Sequence, residues 1–489
     1  MKKLLYTILL MTGVVAVSCT SSLDLKPVSE ISVNSFWKTE EDAKGGLNGM
    51  YVRLRSQAQA NLFLWGESRS EVFDFGIEGA ANMQRYFQNT LDPVFSGPTW
   101  VGLYTIVHDA NLILKYVPQI TFTAEAEKKK ILAQAHAMRA FVYFVMARTW
   151  GGVPLVTEPT EGYDPTATRK ARSTVEEIFK LIKEDIEKAL ELFPDNAFIG
   201  ARSFWAKPAV NALKGDVYLW TAKKLNGGEG DYNIALAALE DIKTADVQLL
   251  PNFADVFANN NKGNKEILMS VRFQDIEAAN NNYSTMYIRD DQIPATTDAA
   301  TKALIQTGGG SNNWAPSAVF RAQFTADDLR KNTSFVEIYT YNGNVATYYG
   351  TVTLKFKGFV QAGIRKFLDD VILYRYADVL LMKAEAKSGL GQDPSTEMND
   401  IRRRAYGAAY NNHVFVNGTK AENDEAILKE RLFELVFEGK RWWDLVRFNK
   451  AFEKVPSLSG RSNKPGLMLF PISESTISLN SAIIQNQDY

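Results

Sequence analysis

The chain has 489 residues, with 55 Lys and Arg against 56 Asp and Glu, a formal charge of −1. That balance excludes the electrostatic footprint of a general nucleic-acid binder, and 46% apolar with 23% charged residues describes an ordinary globular body. The single cysteine, Cys19, excludes a disulfide within the chain, and three scattered histidines exclude a His/Cys metal spacing.

The N-terminus reads as an address. Lys2 and Lys3 precede an uncharged run from Leu4 to Val17, and the small residues Ala16-Val17-Ser18 close it before Cys19. This is the layout of a lipoprotein signal peptide. The run is shorter than the roughly 20 apolar residues that span a bilayer. Residues 1–18 are therefore expected to be removed, leaving Cys19 as a lipidated first residue. The membrane is then met only through acyl chains, each buried methylene of which contributes about 0.8 kcal/mol. Residues 19–33 are polar and read as a tether.

Residues 34–489 are expected to form one domain. Asn34 or Ser35 could cap a first helix through Leu47 and Leu54, since its apolar positions recur at three- and four-residue steps. Further helices are predicted over Trp100 to Val117, stopped by Pro118, and over Ala124 to Trp150, ended by Gly151-Gly152. Another follows the Thr174/Glu177 capping box, and a pair spans Lys207 to Lys224 and Tyr232 to Ala245. From about residue 251 to 370 the chain turns rich in Asn, Gly and Thr, with short β-type pieces at Glu266 to Val271 and Thr347 to Lys357. Gly308-Gly309-Gly310 and Asn312-Asn313 read there as flexible loop. Helices return at Val371 to Leu390, Pro394 to Tyr406 and Asn423 to Phe448. The helical scaffold is thus placed at about 34–250 and 371–450, with a loop-rich insertion at about 251–370. Successive hairpins suggest stacked helix pairs of the tetratricopeptide kind. Gly215 with Tyr218 has the offset of that repeat's first helix, and Ala235 with Leu239 resembles its second, although no exact period is visible.

Four ordered segments resemble the SusD/RagB family of outer-membrane lipoproteins of Bacteroidetes. They are Phe36-Trp37-Lys38-Thr39-Glu40-Glu41-Asp42-Ala43 with Leu47-Asn48-Gly49-Met50-Tyr51; Met138-Arg139-Ala140-Phe141-Val142-Tyr143-Phe144 leading to Trp150-Gly151-Gly152-Val153-Pro154-Leu155; Leu373 to Ala386; and Glu430 to Leu445. The resemblance implies a mainly α fold, with about four tetratricopeptide-like helix pairs and an irregular ligand-facing half with short strands. It implies a cell-surface lipoprotein that captures oligosaccharide or polysaccharide and delivers it to a SusC-like TonB-dependent transporter. The same architecture binding peptides is the alternative, and a surface glycoside hydrolase a remote one. Such proteins bind rather than catalyse, and no nucleophile elbow, phosphate loop or zinc motif is present.

The family's ligand site varies between members, so the site is argued from chemistry. A sugar ring needs a flat aromatic platform beside fixed hydrogen-bonding groups, which planar amides and guanidiniums supply. Two stretches interleave these types. The first supplies Trp65, Glu67, Arg69, Asn82 and Tyr86. The second supplies Asn282, Tyr283, Tyr287, Arg289, Trp314 and Arg321. Trp314 is the first choice, because its glycine- and asparagine-rich neighbours predict an exposed loop. Arg139, Tyr143 and Trp150 are expected in the core, as are Arg441, Trp442 and Trp443. Glu430, Arg431, Glu434 and Glu438 are expected to pair along one helix face. The acidic pairs Asp290-Asp291 and Asp369-Asp370 offer carboxylates to calcium, but without EF-hand spacing no metal or other cofactor is expected.

Overall fold

A computed structural model describes residues 36–79, 81–162, 169–278 and 280–489. The expected signal, Cys19, the tether and the Asn34/Ser35 cap lie outside the described residues. The first long helix, α1 (Glu40–Ala58), starts from a different cap. The Thr39 hydroxyl accepts from the Asp42 N–H at 3.2 Å, while the Asp42 carboxylate accepts from the Thr39 N–H at 2.7 Å. Each side chain thus satisfies an end group that the helix leaves open. The apolar stripe of α1 (Ala43, Leu47, Met50, Leu54) is buried.

Six more long helices follow the expected order: α2 (Val101–Tyr116), α3 (Glu125–Trp150), α4 (Val175–Leu192), α5 (Lys207–Lys224), α6 (Gly228–Asp241) and α7 (Tyr376–Gly389). Then come α8 (Ser395–Tyr406), α9 (Lys420–Leu435) and the short α10 (Arg441–Arg447). The Thr174/Glu177 capping box forms as expected. Pro118 sits inside a 3-10 turn, Val117–Gln119, that ends α2. Helices pack as consecutive pairs, α1 on α2, α3 on α4, α5 on α6 and α7 on α8. The pairs stack through α2 on α3, α4 on α5 and α6 on α7, so each buries a face it cannot cover alone. This is the mainly α, paired-helix architecture that the sequence implied. None of the described helices is long and apolar enough to cross a membrane.

Three expectations need correction. The apolar stretch from Val371 is not one helix. Val371–Arg375 is strand β8, antiparallel to β2 (Ile267–Val271), and the helix begins only at Tyr376. The stretch from Asn423 to Phe448 breaks after Leu435, where Phe437 (φ 68) and Gly439 (φ 72) take the left-handed backbone and α10 restarts at Arg441. The Gly308–Asn313 run is packed, not a free loop. Gly310 lies so close to the chain that a Cβ would stand 2.1 Å from the Tyr287 carbonyl oxygen, and Asn312 is wholly buried.

The other strands form two-stranded antiparallel sheets: β1 (Phe73–Phe75) with β3 (Trp314–Pro316), β4 (Phe335–Asn342) with β5 (Val345–Thr353), and β6 (Phe359–Gln361) with β7 (Ile364–Lys366).

Buried ion pairs tie the insertion to the scaffold. Glu430, Glu434, Arg431 and Glu438 do not pair with one another as a surface ladder. Their partners come from other elements. The wholly buried Arg375 donates to Glu266 and Glu434 at 2.7 Å and to Glu438 at 2.9 Å. Glu434 also takes Arg330 and Arg404. Arg431 reaches Asp378 and Asp444. Burial alone would raise the Glu434 carboxyl, but Arg404, Arg375 and Arg330 outweigh it and hold it well below the usual carboxylate range. Burial pushes the Lys355 ammonium down to about 8, although Glu438 opposes it.

Candidate functional site

The structure separates the sequence-predicted residues into two groups. Eight are interior. Trp65 is wholly buried, donates its indole N–H to the Pro98 carbonyl at 3.0 Å and packs edge-on against Trp150. The Glu67 carboxylate accepts from the amides of Phe437 and Gly439 at 2.5 and 2.6 Å; burial pushes its carboxyl up to about 8 against the pull of those two amides. Arg69 donates to Asn89 and to the carbonyls of Leu467 and Leu469, with its guanidinium 4.3 Å over the Trp442 ring. Tyr86, Asn282, Tyr283 and Tyr287 are buried. Tyr283 stacks on Phe356 at 4.4 Å and donates to the Phe437 carbonyl, while Tyr287 donates to the Ile305 carbonyl.

Trp314, the first choice, is 0% exposed. It sits on β3, opposite Phe75 in register, stacked on Phe73 at 5.0 Å, with its indole N–H donating to Thr285 Oγ1 at 2.8 Å. Its glycine and asparagine neighbours serve close backbone packing, not exposure. Three predicted residues do reach the surface: Asn82 and Arg289 are exposed, and Arg321 is half-buried.

The accessible aromatics lie on the β4–β5 hairpin above this core. A two-residue turn links Asn342 to Val345, and Gly343 (φ 59) supplies the positive φ such turns require. Tyr339 pairs with Tyr348 and Tyr341 with Ala346. The register slips between Ile338 and Tyr339, leaving Tyr349 as the extra residue of a bulge, a feature that re-aims side chains. Tyr341, Tyr348 and Tyr349 are 39%, 44% and 38% exposed, an uncommon fate for neighbouring aromatics.

Arg321 holds this platform from below. Its guanidinium lies 4.7 Å from the Tyr348 ring centre, donates to Glu337 at 2.8 Å and to the Pro316 carbonyl at 2.5 Å. The Tyr348 hydroxyl is paired with that of Thr351 at 2.8 Å. Beside the hairpin lies the end of β1, where Phe75 is half exposed against Phe87. Asn312 stitches the two together: its amide oxygen accepts from the Ile77 N–H at 2.8 Å and its amide nitrogen donates to the Thr351 carbonyl at 3.1 Å. Arg289 pairs there with Glu78 at 2.6 Å and Asp291 at 2.9 Å. The surface thus offers exposed ring faces, braced by Arg321, with the Arg289–Glu78 pair beside them, an arrangement on which a sugar's apolar faces can stack.

Phe75 lies in the first candidate stretch, Trp65 to Phe87, and Tyr341, Tyr348 and Tyr349 in the second, Asn280 to Tyr349, but none of the four was singled out as a ligand contact. The signal was the alternation of tyrosines around Asn342-Gly343, a hairpin signature. Among the described residues no group of three or more His, Cys, Asp or Glu side chains is placed to hold a metal ion.

Comparison with known proteins identifies the class. Residues 243–489 match the SusD family profile, and residues 23–219 match a second one described as starch-binding associating with outer membrane. The chain belongs to the SusD family. It is 31% identical to SusD-like protein P38 of Formosa agariphila over 485 residues, covering 93% of each chain. Among solved structures it is similar to B. fragilis NanU, with a TM-score of 0.85 and 31% identity over 95% of this chain and all of that one. A laminarin binding SusD-like protein shares the fold, with a TM-score of 0.74 and 23% identity over 93% of this chain and all of that one.

Proposed function

We propose that this protein is a lipid-anchored, surface-exposed glycan receptor of the outer membrane, which captures oligosaccharide or polysaccharide without changing it and passes it to a SusC-like TonB-dependent transporter. The observation that carries the binding half is the exposed tyrosine platform of the β4–β5 hairpin, braced by Arg321 and Glu337. Neighbouring tyrosines at this exposure cost apolar surface in water, and stacking on sugar faces recovers it. Family membership supports the membrane and delivery half, together with the lipoprotein layout around Cys19 and the family description as starch-binding and outer-membrane-associated.

The test is retention on affinity gels carrying a panel of polysaccharides, laminarin and starch included, with the bound sugar analysed afterwards. Retardation on one or more glycans with no shortened products is expected. Release of cleaved sugar, or retention of peptides alone, would overturn the reading. Co-purification from outer membranes with a large barrel tests the delivery step.

A further inference from the structure

Two open hollows, about 440 and 230 Å³, meet on a part of the molecule that shares no residue with the tyrosine platform. Their common wall is Ser203 and Arg272. One runs against α1, where Arg55 lines it. The other runs past Asn259 and Lys262 to β6, where Phe359 and Gln361 line it.

The charges around the hollows do not cancel. Arg272 donates to both oxygens of Glu277 at 2.7 and 2.8 Å, and Arg55 donates to the same carboxylate at 3.1 Å. Two guanidiniums therefore share one acid. The other two carboxylates are each taken by a lysine: Asp370 by Lys262 at 3.0 Å, and Asp275 by Lys366. Arg55, Arg272 and Lys262 line the hollows with Glu277, Asp370 and Asp275, and Lys366, outside the lining, takes up Asp275, so the junction holds two guanidiniums to one acid. Among the described residues Arg272 bonds through Nη2 only and Arg55 through Nη1 only, so both keep donors open to the cleft. Guanidinium favours planar, two-pronged recognition of a carboxylate. Around the junction stand the exposed amides of Gln274 and Gln361 and the half-buried ring of Phe359.

The rim turn adds an independent sign. Ile276, between Asp275 and Glu277, has φ 72 and a fully exposed side chain. A β-branched residue disfavours that backbone, and among the described residues no packing compensates it. Strain of this sort collects where a surface meets a ligand.

We infer that this cleft is a second binding site, selective for a ligand carrying a carboxylate on a body rich in hydroxyl or amide groups, with the carboxylate on Arg272 and Arg55 and the body against Phe359, Gln274 and Gln361. An acidic sugar and a peptide C-terminus both present that chemistry. The inference does not depend on what the tyrosine platform binds.

Calorimetry on the full-length mature chain tests it with four probes: an oligogalacturonide, the same oligomer with its carboxyl groups reduced to alcohols, a tripeptide, and that tripeptide amidated at its C-terminus. One acidic probe is expected to bind at least ten-fold more tightly than its neutral partner, and which one identifies the source of the carboxylate. Arg272→Gln and Arg55→Gln together should abolish that preference, with an unchanged melting temperature as the control for folding, whereas Tyr348→Ala should leave it intact. Equal affinity for acidic and neutral partners, no binding of either acidic probe, or loss of the preference in Tyr348→Ala would each overturn the inference. The comparison of acidic with neutral probes needs no variant, so it stands even if the double substitution unfolds.

Discussion

The guanidinium of Arg321 lies 4.7 Å from the ring centre of Tyr348 while it is tied to Glu337 at 2.8 Å. One arginine thus braces a ring that stays 44% exposed. Truncating Tyr348 or Tyr341 to Ala should weaken binding of the cognate glycan by about 1–3 kcal/mol, as for an aromatic anchor, with little change in melting temperature. Arg321→Lys keeps a positive charge but not the planar stack, so it should give a smaller loss. Calorimetry of the variants checks the ranking, and it fails if Arg321→Lys costs more binding than Tyr348→Ala.

Trp314→Ala should behave as a core deletion. The ring is wholly enclosed by Phe63, Phe73 and Tyr86, so its removal should cost about 3–5 kcal/mol of stability. Chemical denaturation reads this out. A variant as stable as the parent but deficient in glycan binding would show the indole to be a ligand contact after all.

Arg375→Met should be strongly destabilising although it preserves bulk. It would leave the buried carboxylates of Glu266, Glu434 and Glu438 without their shared cation, and breaking a buried pair on one side costs about 3–5 kcal/mol. A companion variant that also replaces Glu438 with Gln should recover part of the loss, which a double-mutant cycle measures.

Stability should depend on pH in two opposite windows. Glu67 and Asp369 have their carboxyls pushed up by burial, to about 8 and about 7. The folded state then holds protons that the unfolded state has lost, so their contribution is full below the ordinary carboxylate range and drains away as pH rises toward 7 to 8. Glu434 is held low by its arginines, so its contribution is full above that range and is lost as the solution becomes more acidic. Denaturation midpoints taken from pH 3 to pH 9 should pass through a maximum on the acid side of neutrality. Replacing Asp369 with Asn should flatten the alkaline limb only.

Replacing Cys19 with Ala should move the protein from the membrane fraction to the soluble one and leave its glycan affinity unchanged. Fractionation followed by binding to the retained polysaccharide checks both halves.

Much of the helical scaffold was legible because its signals are local. The Thr174/Glu177 capping box lies within four residues, and the stripe of Ala43, Leu47, Met50 and Leu54 within one helix. What stayed hidden depends on partners far along the chain. Val371–Arg375 is a strand only because Ile267–Val271 lies beside it, and nothing in its apolar composition separates it from the helix it feeds. Trp314 read as exposed because glycines and asparagines usually mark loops, whereas here they let the chain pass close to Tyr287. The aromatic-and-amide criterion picked rings that the fold buries, Trp314 first among them, while the exposed rings of the same stretch lie on the β4–β5 hairpin. It weighted tryptophan over tyrosine and ignored the strand alternation that turns Tyr341 and Tyr348 outward.

The residues that lock Glu67, Glu71 and Arg69 in place come 370 to 400 positions later in the polypeptide: the amide of Phe437, the side chain of Arg441 and the carbonyl of Leu469. A ribosome or translocation channel delivers the N-terminal end first. Those early side chains must therefore wait, solvated, for nearly the entire remainder of the polypeptide to appear. Final closure is a late event, and a product shortened by even its last few dozen residues would emerge with its beginning unsealed.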